Sequence, residues 1–204
     1  MKKITLLFCL IACFGLMALK SNLLLPIGAD MPMQDHKMLD VSGKELSIKD
    51  AVKGNGVLVM FSCNTCPYVI KNEERISNLS DFTTKLDFGM IVLNSNEAYR
   101  DGEDSYKSMQ EFALEKKLNC FYVVDKDYQV ADAYGANRTP ECFLFDKNMK
   151  LVYHGAIDDN ATDAAAVKRN HLIEAMTEIS QGKTVSIPET KSVGCSIKRK
   201  AKAN

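Results

Sequence analysis

The most constraining feature of this chain is a pair of cysteines, Cys63 and Cys66, placed between a short apolar run and a proline. The run 56–61 is apolar, partly β-branched and free of charge, which predicts a strand buried on both faces of a sheet. Pro67 suits the first turn of a helix, because its φ is already near the helical value and it lacks the N–H that this turn leaves unpaired. The sequence therefore predicts a strand, two thiols and a helix in direct succession.

Two thiols at a helix N-terminus are suited to thiol–disulfide exchange. Unpaired N–H groups and the helix dipole stabilise a thiolate there, and Cys-x-x-Cys pairs of this kind reach pKa values of roughly 3.5–7.5. We expect Cys63 to be the nucleophile and Cys66 to be the resolving thiol. Two other readings of the pattern remain. One is half of a structural zinc site, although no second Cys-x-x-Cys completes it. The other is a passive disulfide, although so short a loop restricts the unfolded chain little.

Charge and the N-terminal residues bound the class of function. The 204 residues carry 26 basic and 26 acidic side chains, which gives no electrostatic case for binding nucleic acid. Lys2 and Lys3 precede an apolar run over 4–19, the pattern of a bacterial export signal. Cys13 lies in a stretch similar to a lipoprotein cleavage box, so the leader also offers a route to membrane attachment. We expect an exported protein, periplasmic or membrane-associated, in a compartment where disulfides persist.

Alternating strand and helix patterns predict an α/β fold with a mixed central sheet, helices on both faces and an N-terminal β-hairpin turned at Ser42-Gly43. We divide the chain into a leader (1–27), one domain (28–186) and a polar, solvated C-terminal tail (187–204) that carries a basic cluster. The predicted strands after the hairpin cover 56–61, 88–94, 121–124, 142–146 and 151–155, and the predicted helices cover 67 to 79 or 82, 105–117, 128–134 and 164–181.

Several residues outside the pair are candidates for a role beside it. Cys195 lies in the tail, from which it could reach the pair as an additional redox thiol. Cys142 follows Pro140 by two residues and is a second such candidate, with a buried structural role as the competing interpretation. His154 would complete a copper site with the two thiols, because thiolates and imidazole suit copper. Cys120 opens a buried strand and is expected to be structural.

Three motifs together resemble the thioredoxin-like, peroxiredoxin-like redoxins (AhpC/TSA type) that bacteria export. They are the segments 63–67, 139–140 and 155–160. The stretch 194–198 is similar to the closing motif of that subgroup. The resemblance extends over 37–198 and implies the thioredoxin fold.

The resemblance also implies roles for individual residues. Cys63 matches the exposed nucleophile of thioredoxins and Cys66 the resolving thiol. Pro140 matches the cis-proline, and the backbone before it, at Thr139, matches the segment that pairs with substrate chains. Cys66 also matches the place of a peroxidatic cysteine.

The chain departs from the family patterns in two ways. Val59 and Cys63 stand where a peroxiredoxin has the proline and the Thr or Ser that help to position a peroxide. The strand 57–61 lacks the acid that thioredoxins commonly bury under the pair to accept a proton. The candidates to replace that acid are Asn96, Glu97 and Glu73, or a water.

The sequence therefore predicts an exported thiol–disulfide oxidoreductase that uses the Cys63–Cys66 pair on protein thiols and disulfides. A reducing dithiol protein would be its second partner, and no cofactor or metal is expected. A thiol peroxidase with Cys66 as the peroxidatic cysteine is one alternative, and a thioredoxin-like copper chaperone is the other.

Overall fold

The computed structural model describes residues 23–201. Most of the leader, including Cys13, lies outside these residues, so the expected export signal and lipoprotein site stay predictions. Among the helices of 23–201, none is both long enough and apolar enough to cross a membrane.

Short strands and helices alternate along the described chain. The strands are β1 (Met38–Leu39), β2 (Glu45–Leu46), β3 (Gly56–Ser62), β4 (Phe88–Asn94), β5 (Phe121–Val124), β6 (Arg138–Thr139), β7 (Glu141–Asp146), β8 (Leu151–Gly155) and β9 (Cys195–Ser196). The helices are α1 (Ile48–Ala51), α2 (Pro67–Ile70), α3 (Glu73–Lys85), α4 (Tyr106–Glu115), α5 (Gln129–Tyr134) and α6 (His171–Ser180).

Five strands form the central sheet, in the order β5-β4-β3-β7-β8. Strands β3, β4 and β5 run parallel, whereas β7 and β8 run antiparallel to their neighbours. Strand β3 is central and each of its seven residues is buried, as its charge-free sequence predicts. The predicted mixed sheet is confirmed, and the predicted hairpin is present as the pair β1–β2.

Side-chain alternation along β3 builds a core on each face of the sheet. Leu58 and Met60 point to the face covered by α2, α3, α4 and α6, whereas Val59 and Phe61 point to the face covered by α1 and α5. On the second face the ring of Phe61 meets that of Tyr134 edge-on at 5.6 Å. The helices therefore cover both faces, as predicted, and the end of β3 is held in a fixed place.

Irregular segments lie along both outer strands of the sheet. On β5 the carbonyl of Tyr122 accepts from the N–H of Val41 at 3.0 Å. On β8 the N–H of His154 donates to the carbonyl of Pro188 at 2.9 Å, and its carbonyl accepts from the N–H of Thr190 at 3.0 Å. Tyr122 and His154, on the outer sides of these two strands, thus have backbone partners within the chain.

The prediction of one continuous helix after Pro67 is wrong, because the structure has two helices there, α2 and α3, separated at Asn72. The Asn72 side chain is buried and its Nδ2 donates to the carbonyls of Tyr68, at 2.6 Å, and Ala161, at 3.0 Å. Its own N–H bonds to the carbonyl of Val69 three residues earlier, at 2.9 Å. A contact with a distant loop therefore sets the break.

The predicted helix 164–181 is wrong in its first part. The stretch Ala164–Ala166 is a 3₁₀ turn capped by Asp163, whose carboxylate accepts from the N–H of Ala165 at 2.9 Å. The N–H of Lys168 donates to the Asp159 carboxylate at 3.0 Å, which holds the chain away from a helical path before α6 begins.

The expectation of a solvated tail is wrong for residues 194–200, here called the C-terminal segment. Strand β9 of this segment pairs antiparallel with β6. Ile197 is buried, the N–H of Lys198 donates to Asn96 Oδ1 at 2.8 Å, and Arg199 forms an ion pair with Asp132 at 2.9 Å. The segment is thus packed against the sheet domain.

Candidate active site

The two thiols of the Cys-x-x-Cys pair lie between the end of β3 and the start of α2. Cys66 is the N-cap residue of α2 and Pro67 is its first helical residue, as the sequence predicts. Both sulfurs are nearly inaccessible, since Cys63 is 1% exposed and Cys66 is 5% exposed. In the structure all five cysteines of the described chain are unbridged, so the geometry is that of the reduced pair.

The predicted Thr139-Pro140 segment faces this pair. The bond between the two residues is cis, as the resemblance implied. Thr139 Oγ1 lies 3.6 Å from Cys63 Sγ, and the carbonyl oxygen of Thr139 lies 3.2 Å from Cys66 Sγ, within reach of its S–H. The structure therefore brings together the four residues that the sequence singled out first.

Cys195 joins them from the C-terminal segment. It pairs with Thr139 across β9 and β6, and a side chain at Gly194 would place its Cβ 2.3 Å from the Thr139 carbonyl oxygen. The segment can approach this closely because residue 194 has no side chain. A cleft of about 240 Å³ opens here, lined by all three cysteines together with Lys198.

Cys142 and His154 do not join the site. Cys142 is fully buried in β7, opposite Met60, and burial raises the pKa of its thiol. It offers no surface to a partner, so its predicted redox role is not supported. His154 lies on the other face of the sheet with its ring 4.6 Å from that of Phe143. The copper set proposed from the sequence is therefore wrong, and nowhere in 23–201 are three or more His, Cys, Asp or Glu residues placed to hold a metal.

A buried carboxylate that the sequence analysis missed supports the loop between the cysteines. Asp104 is fully buried and its Oδ1 accepts from the N–H of Asn64 at 2.8 Å and from Asn94 Nδ2 at 2.7 Å. Its Oδ2 accepts from Asn96 Nδ2 at 2.9 Å. Asp104 directly precedes Ser105, the residue that caps α4, so its place in the sequence indicates a helix start and not a buried acceptor.

The groups around Cys66 favour its thiolate. The thiol of Cys63 donates to the Cys66 sulfur, and the Cys195 thiol and the N–H groups of Val69 and Cys195 add to this, so that the pKa of Cys66 falls to about 4 although burial opposes the shift. Val69 is the third residue of α2, where unpaired N–H groups and the helix dipole stabilise an anion. When Cys66 carries the proton instead, it can donate to the Thr139 carbonyl.

The groups around Cys63 favour its thiol. The hydrogen bond to Cys66, burial and the nearby carboxylate of Asp104 raise the pKa of Cys63 far above its usual value, although the Thr139 hydroxyl acts in the opposite direction. Within this coupled pair the shared proton therefore favours Cys63 and the negative charge favours Cys66. The role of Cys63 as the nucleophile stays a prediction.

We expect the ultraviolet absorbance of the thiolate to titrate at low pH in the reduced protein, with a midpoint near the pKa of about 4 given for Cys66. An unfolded thiol has a pKa of roughly 8.5, above that of Cys66 in the folded protein. Ionisation of Cys66 therefore adds fully to the free energy of unfolding of the reduced protein above about pH 8.5, and this stabilisation is lost as the pH falls to the folded pKa. Cys63→Ala should move the midpoint upward, because it removes the donor that contributes most to the lowered pKa of Cys66. An unchanged midpoint near 8.5 in the native protein would contradict the assignment.

The sequence of the sheet domain matches a known family. The family model for Redoxin matches residues 28–169, which is more than half of the chain. The chain belongs to the redoxin family. This redoxin has the α/β fold and the family that its motifs implied, and the family supports a general redox function.

Solved structures give the same fold for this redoxin. An uncharacterized conserved protein from Geobacillus kaustophilus is 29% identical, with a TM-score of 0.81, covering 87% of this chain and 94% of that one. A hypothetical protein from Sinorhizobium meliloti 1021 is 28% identical, with a TM-score of 0.77, covering 87% and 96%. The thioredoxin domain of a thiol-disulfide oxidoreductase from Bacteroides vulgatus is 19% identical, with a TM-score of 0.52, covering 64% and 88%. A search of the curated proteins finds no match.

Proposed function

We propose that this redoxin is a thiol–disulfide oxidoreductase that works through Cys66 and Cys63. The observation that supports this most strongly is the contact of the two thiols at the N-terminus of α2, with the pKa of Cys66 lowered and that of Cys63 raised. The Cys66 thiolate attacks a sulfur of an incoming disulfide and releases the other sulfur as a thiolate. Cys63 then loses its proton and attacks Cys66 Sγ, which closes the internal disulfide and releases the incoming sulfur. The same two exchanges run in reverse when the internal disulfide oxidises a partner dithiol.

The partners we propose are proteins. Disulfides or thiols of exported proteins would be the substrates. A separate reducing dithiol protein would be the second partner, and it restores the reduced pair after the pair has reduced a disulfide. The charged and apolar leader seen in the sequence supports an exported location, with membrane attachment through that leader as the alternative form. The equal numbers of basic and acidic side chains give no support to a nucleic-acid partner.

The direction of electron flow follows from the pair's reduction potential. A low thiolate pKa stabilises the reduced state, so it makes a disulfide more oxidising. We therefore expect the potential of the Cys63–Cys66 pair, measured in dithiothreitol or glutathione buffers by mass spectrometry of alkylated thiols, to lie near about −120 to −180 mV. A value below about −250 mV would instead mark a reductant and contradict the proposed direction. Failure to form any reversible disulfide would contradict the function itself.

Peroxide reduction is a second candidate, favoured by the lowered pKa of Cys66, because the thiolate is the form that peroxides oxidise. The attack would give a Cys66 sulfenic acid, and Cys63 would displace water from it to form the disulfide. Peroxide consumption in the presence of dithiothreitol tests this. Loss of consumption in Cys66→Ser, with part of it retained in Cys63→Ser, would support the peroxidase. Equal and negligible consumption in both variants and in the native protein would exclude it.

A further inference from the structure

Burial of the pair poses a problem of access for a protein partner. Thiol–disulfide exchange requires the incoming sulfur to reach a sulfur of the pair directly. Yet Cys63 and Cys66 are 1% and 5% exposed, and the C-terminal segment lies against them. Both residues border a cleft of only about 240 Å³, so a folded protein chain has little access to either sulfur while this segment is in place.

The C-terminal segment is held firmly. The carbonyl of Lys198 accepts from the N–H of Ala98 at 2.8 Å, and the N–H of Ile197 donates to the carbonyl of Asn137 at 3.1 Å. Arg199 adds a hydrogen bond from its guanidinium to the carbonyl of Ala136 at 2.8 Å. Removing the segment would break these bonds and expose Ile197, so its displacement in each catalytic cycle would be costly.

The same segment carries a thiol to the pair. Cys195 is partly exposed, unlike the two cysteines beneath it, and its backbone pairs with Thr139. The Thr139 carbonyl in turn lies 3.2 Å from Cys66 Sγ. The three cysteines and Lys198 line one open cleft. Cys195 thus lies in the same cleft as the reactive sulfur and is also in contact with solvent.

We propose that Cys195 is a third redox residue, which exchanges disulfides with Cys66 and forms the bond to protein partners in its place. This rests on the proposed function of the Cys63–Cys66 pair and adds the residue that the partner contacts. Burial and the neighbouring Cys66 raise the pKa of Cys195, and the charge of Lys198, in the same cleft, opposes them only in part. The charge of Cys66 is absent when Cys66 is in the disulfide, which is the state that Cys195 attacks.

The internal step conserves atoms and electrons. The Cys195 thiolate attacks Cys66 Sγ of the Cys63–Cys66 disulfide, a Cys66–Cys195 bond forms, the Cys63–Cys66 bond breaks, and Cys63 takes up the proton that Cys195 gave to solvent. A partner thiolate then attacks Cys195 Sγ, and Cys66 departs as the thiolate that its surroundings stabilise. A second thiol of the partner displaces Cys195 and leaves with a disulfide. The partner loses two electrons, and the native pair gains them.

The internal disulfide can be trapped. Trypsin places Cys63 and Cys66 together on the peptide 54–71 and places Cys195 on 192–198, whereas Cys120 and Cys142 fall on 118–126 and 139–147. In Cys63→Ser oxidised with diamide, which accepts two electrons and two protons, we expect 54–71 joined to 192–198 as the main product. The double variant Cys63→Ser/Cys195→Ser should not give it. If Cys66 stays reduced or joins another peptide, the proposal fails.

The outcome for the native chain separates this proposal from the function on which it rests. A reversible disulfide within 54–71 in the native protein, together with no joined peptide in Cys63→Ser, would leave the oxidoreductase standing and overturn the role of Cys195. Absence of the first disulfide would overturn both.

A second measurement tests whether Cys195 exchanges disulfides with the partner or only covers the Cys63–Cys66 pair. The disulfide of native protein and of Cys195→Ser is reduced with a thioredoxin, as a protein dithiol, or with dithiothreitol, as a small one. We expect Cys195→Ser to slow reduction by thioredoxin by about tenfold or more and to leave reduction by dithiothreitol nearly unchanged, because access limits only the larger reagent. The matched control Cys120→Ser should behave as the native protein. Equal or faster reduction of Cys195→Ser by thioredoxin would overturn the proposal.

Discussion

Replacing Cys66 by serine is expected to abolish disulfide exchange, reducing turnover by at least about a thousandfold, the scale on which loss of a catalytic nucleophile acts. Serine keeps the shape of the side chain but supplies no thiolate. The rate of oxidation of a reduced dithiol peptide, followed by mass spectrometry, measures the loss. Cys63 cannot replace Cys66, because its burial and the Asp104 carboxylate still hold its pKa high.

The companion variant assigns the roles of the two sulfurs. Cys63→Ser should also lose turnover but should still form one covalent adduct, since Cys66 keeps its thiolate and lacks only the thiol that resolves it. Cys120→Ser is the control, because Cys120 lines a separate cleft of about 600 Å³. An adduct that forms in Cys66→Ser and not in Cys63→Ser would restore the roles predicted from the sequence.

Replacing Glu141 by alanine is expected to lower the free energy of unfolding by about 3 kcal/mol or more, because each of three at least partly buried groups that lose their partner costs about 1–3 kcal/mol. Glu141 Oε1 lies 2.8 Å from His154 Nε2, and Oε2 accepts from the N–H groups of Asn137, at 2.7 Å, and Arg138, at 2.8 Å. Burial raises the pKa of Glu141, but these hydrogen bonds outweigh it, and the pKa is lowered. The variant would leave an imidazole and two N–H groups unpaired.

Urea unfolding of the reduced protein measures this loss. Glu141→Gln should cost less, about 1–3 kcal/mol, because an amide oxygen can still accept the backbone bonds. Glu74→Ala, on an exposed side chain of α3, is the matched control and should be nearly neutral. Because Asn137 and Arg138 lead into Thr139, Glu141→Ala should also slow disulfide exchange. A loss below about 1 kcal/mol would show that Glu141 does not hold this loop.

Local sequence patterns were sufficient to predict most strands of the central sheet. The strands 88–94, 121–124 and 151–155 have the predicted limits, since uncharged apolar runs bounded by polar residues are decided by their own sequence. The break at Asn72 was not predictable, because it depends on the carbonyl of Ala161, 89 positions away. Tertiary contacts override helix periodicity in such places.

The candidate site was likewise predictable only in part. Cys63, Cys66 and Pro67 follow from spacing, and Thr139-Pro140 follows from the family resemblance. The distribution of charge between the two cysteines was not predictable, because it depends on Asp104 and on Cys195, which approach from other parts of the fold. The place of Cys195 likewise depends on strand pairing between two-residue segments, which leaves no periodic signal in the sequence.

The covered edges of the sheet bear on how the protein behaves at high concentration. An outer strand with free N–H and carbonyl groups is a template for another chain, and pairing of this kind leads to swapped dimers and fibres. Here Val41 occupies the outer side of β5, and Pro188 and Thr190 occupy that of β8. Within residues 23–201 these contacts take positions at which the strand of another chain would pair. Concentrated solutions of the protein are therefore expected to resist association of one sheet with another along β5 and β8.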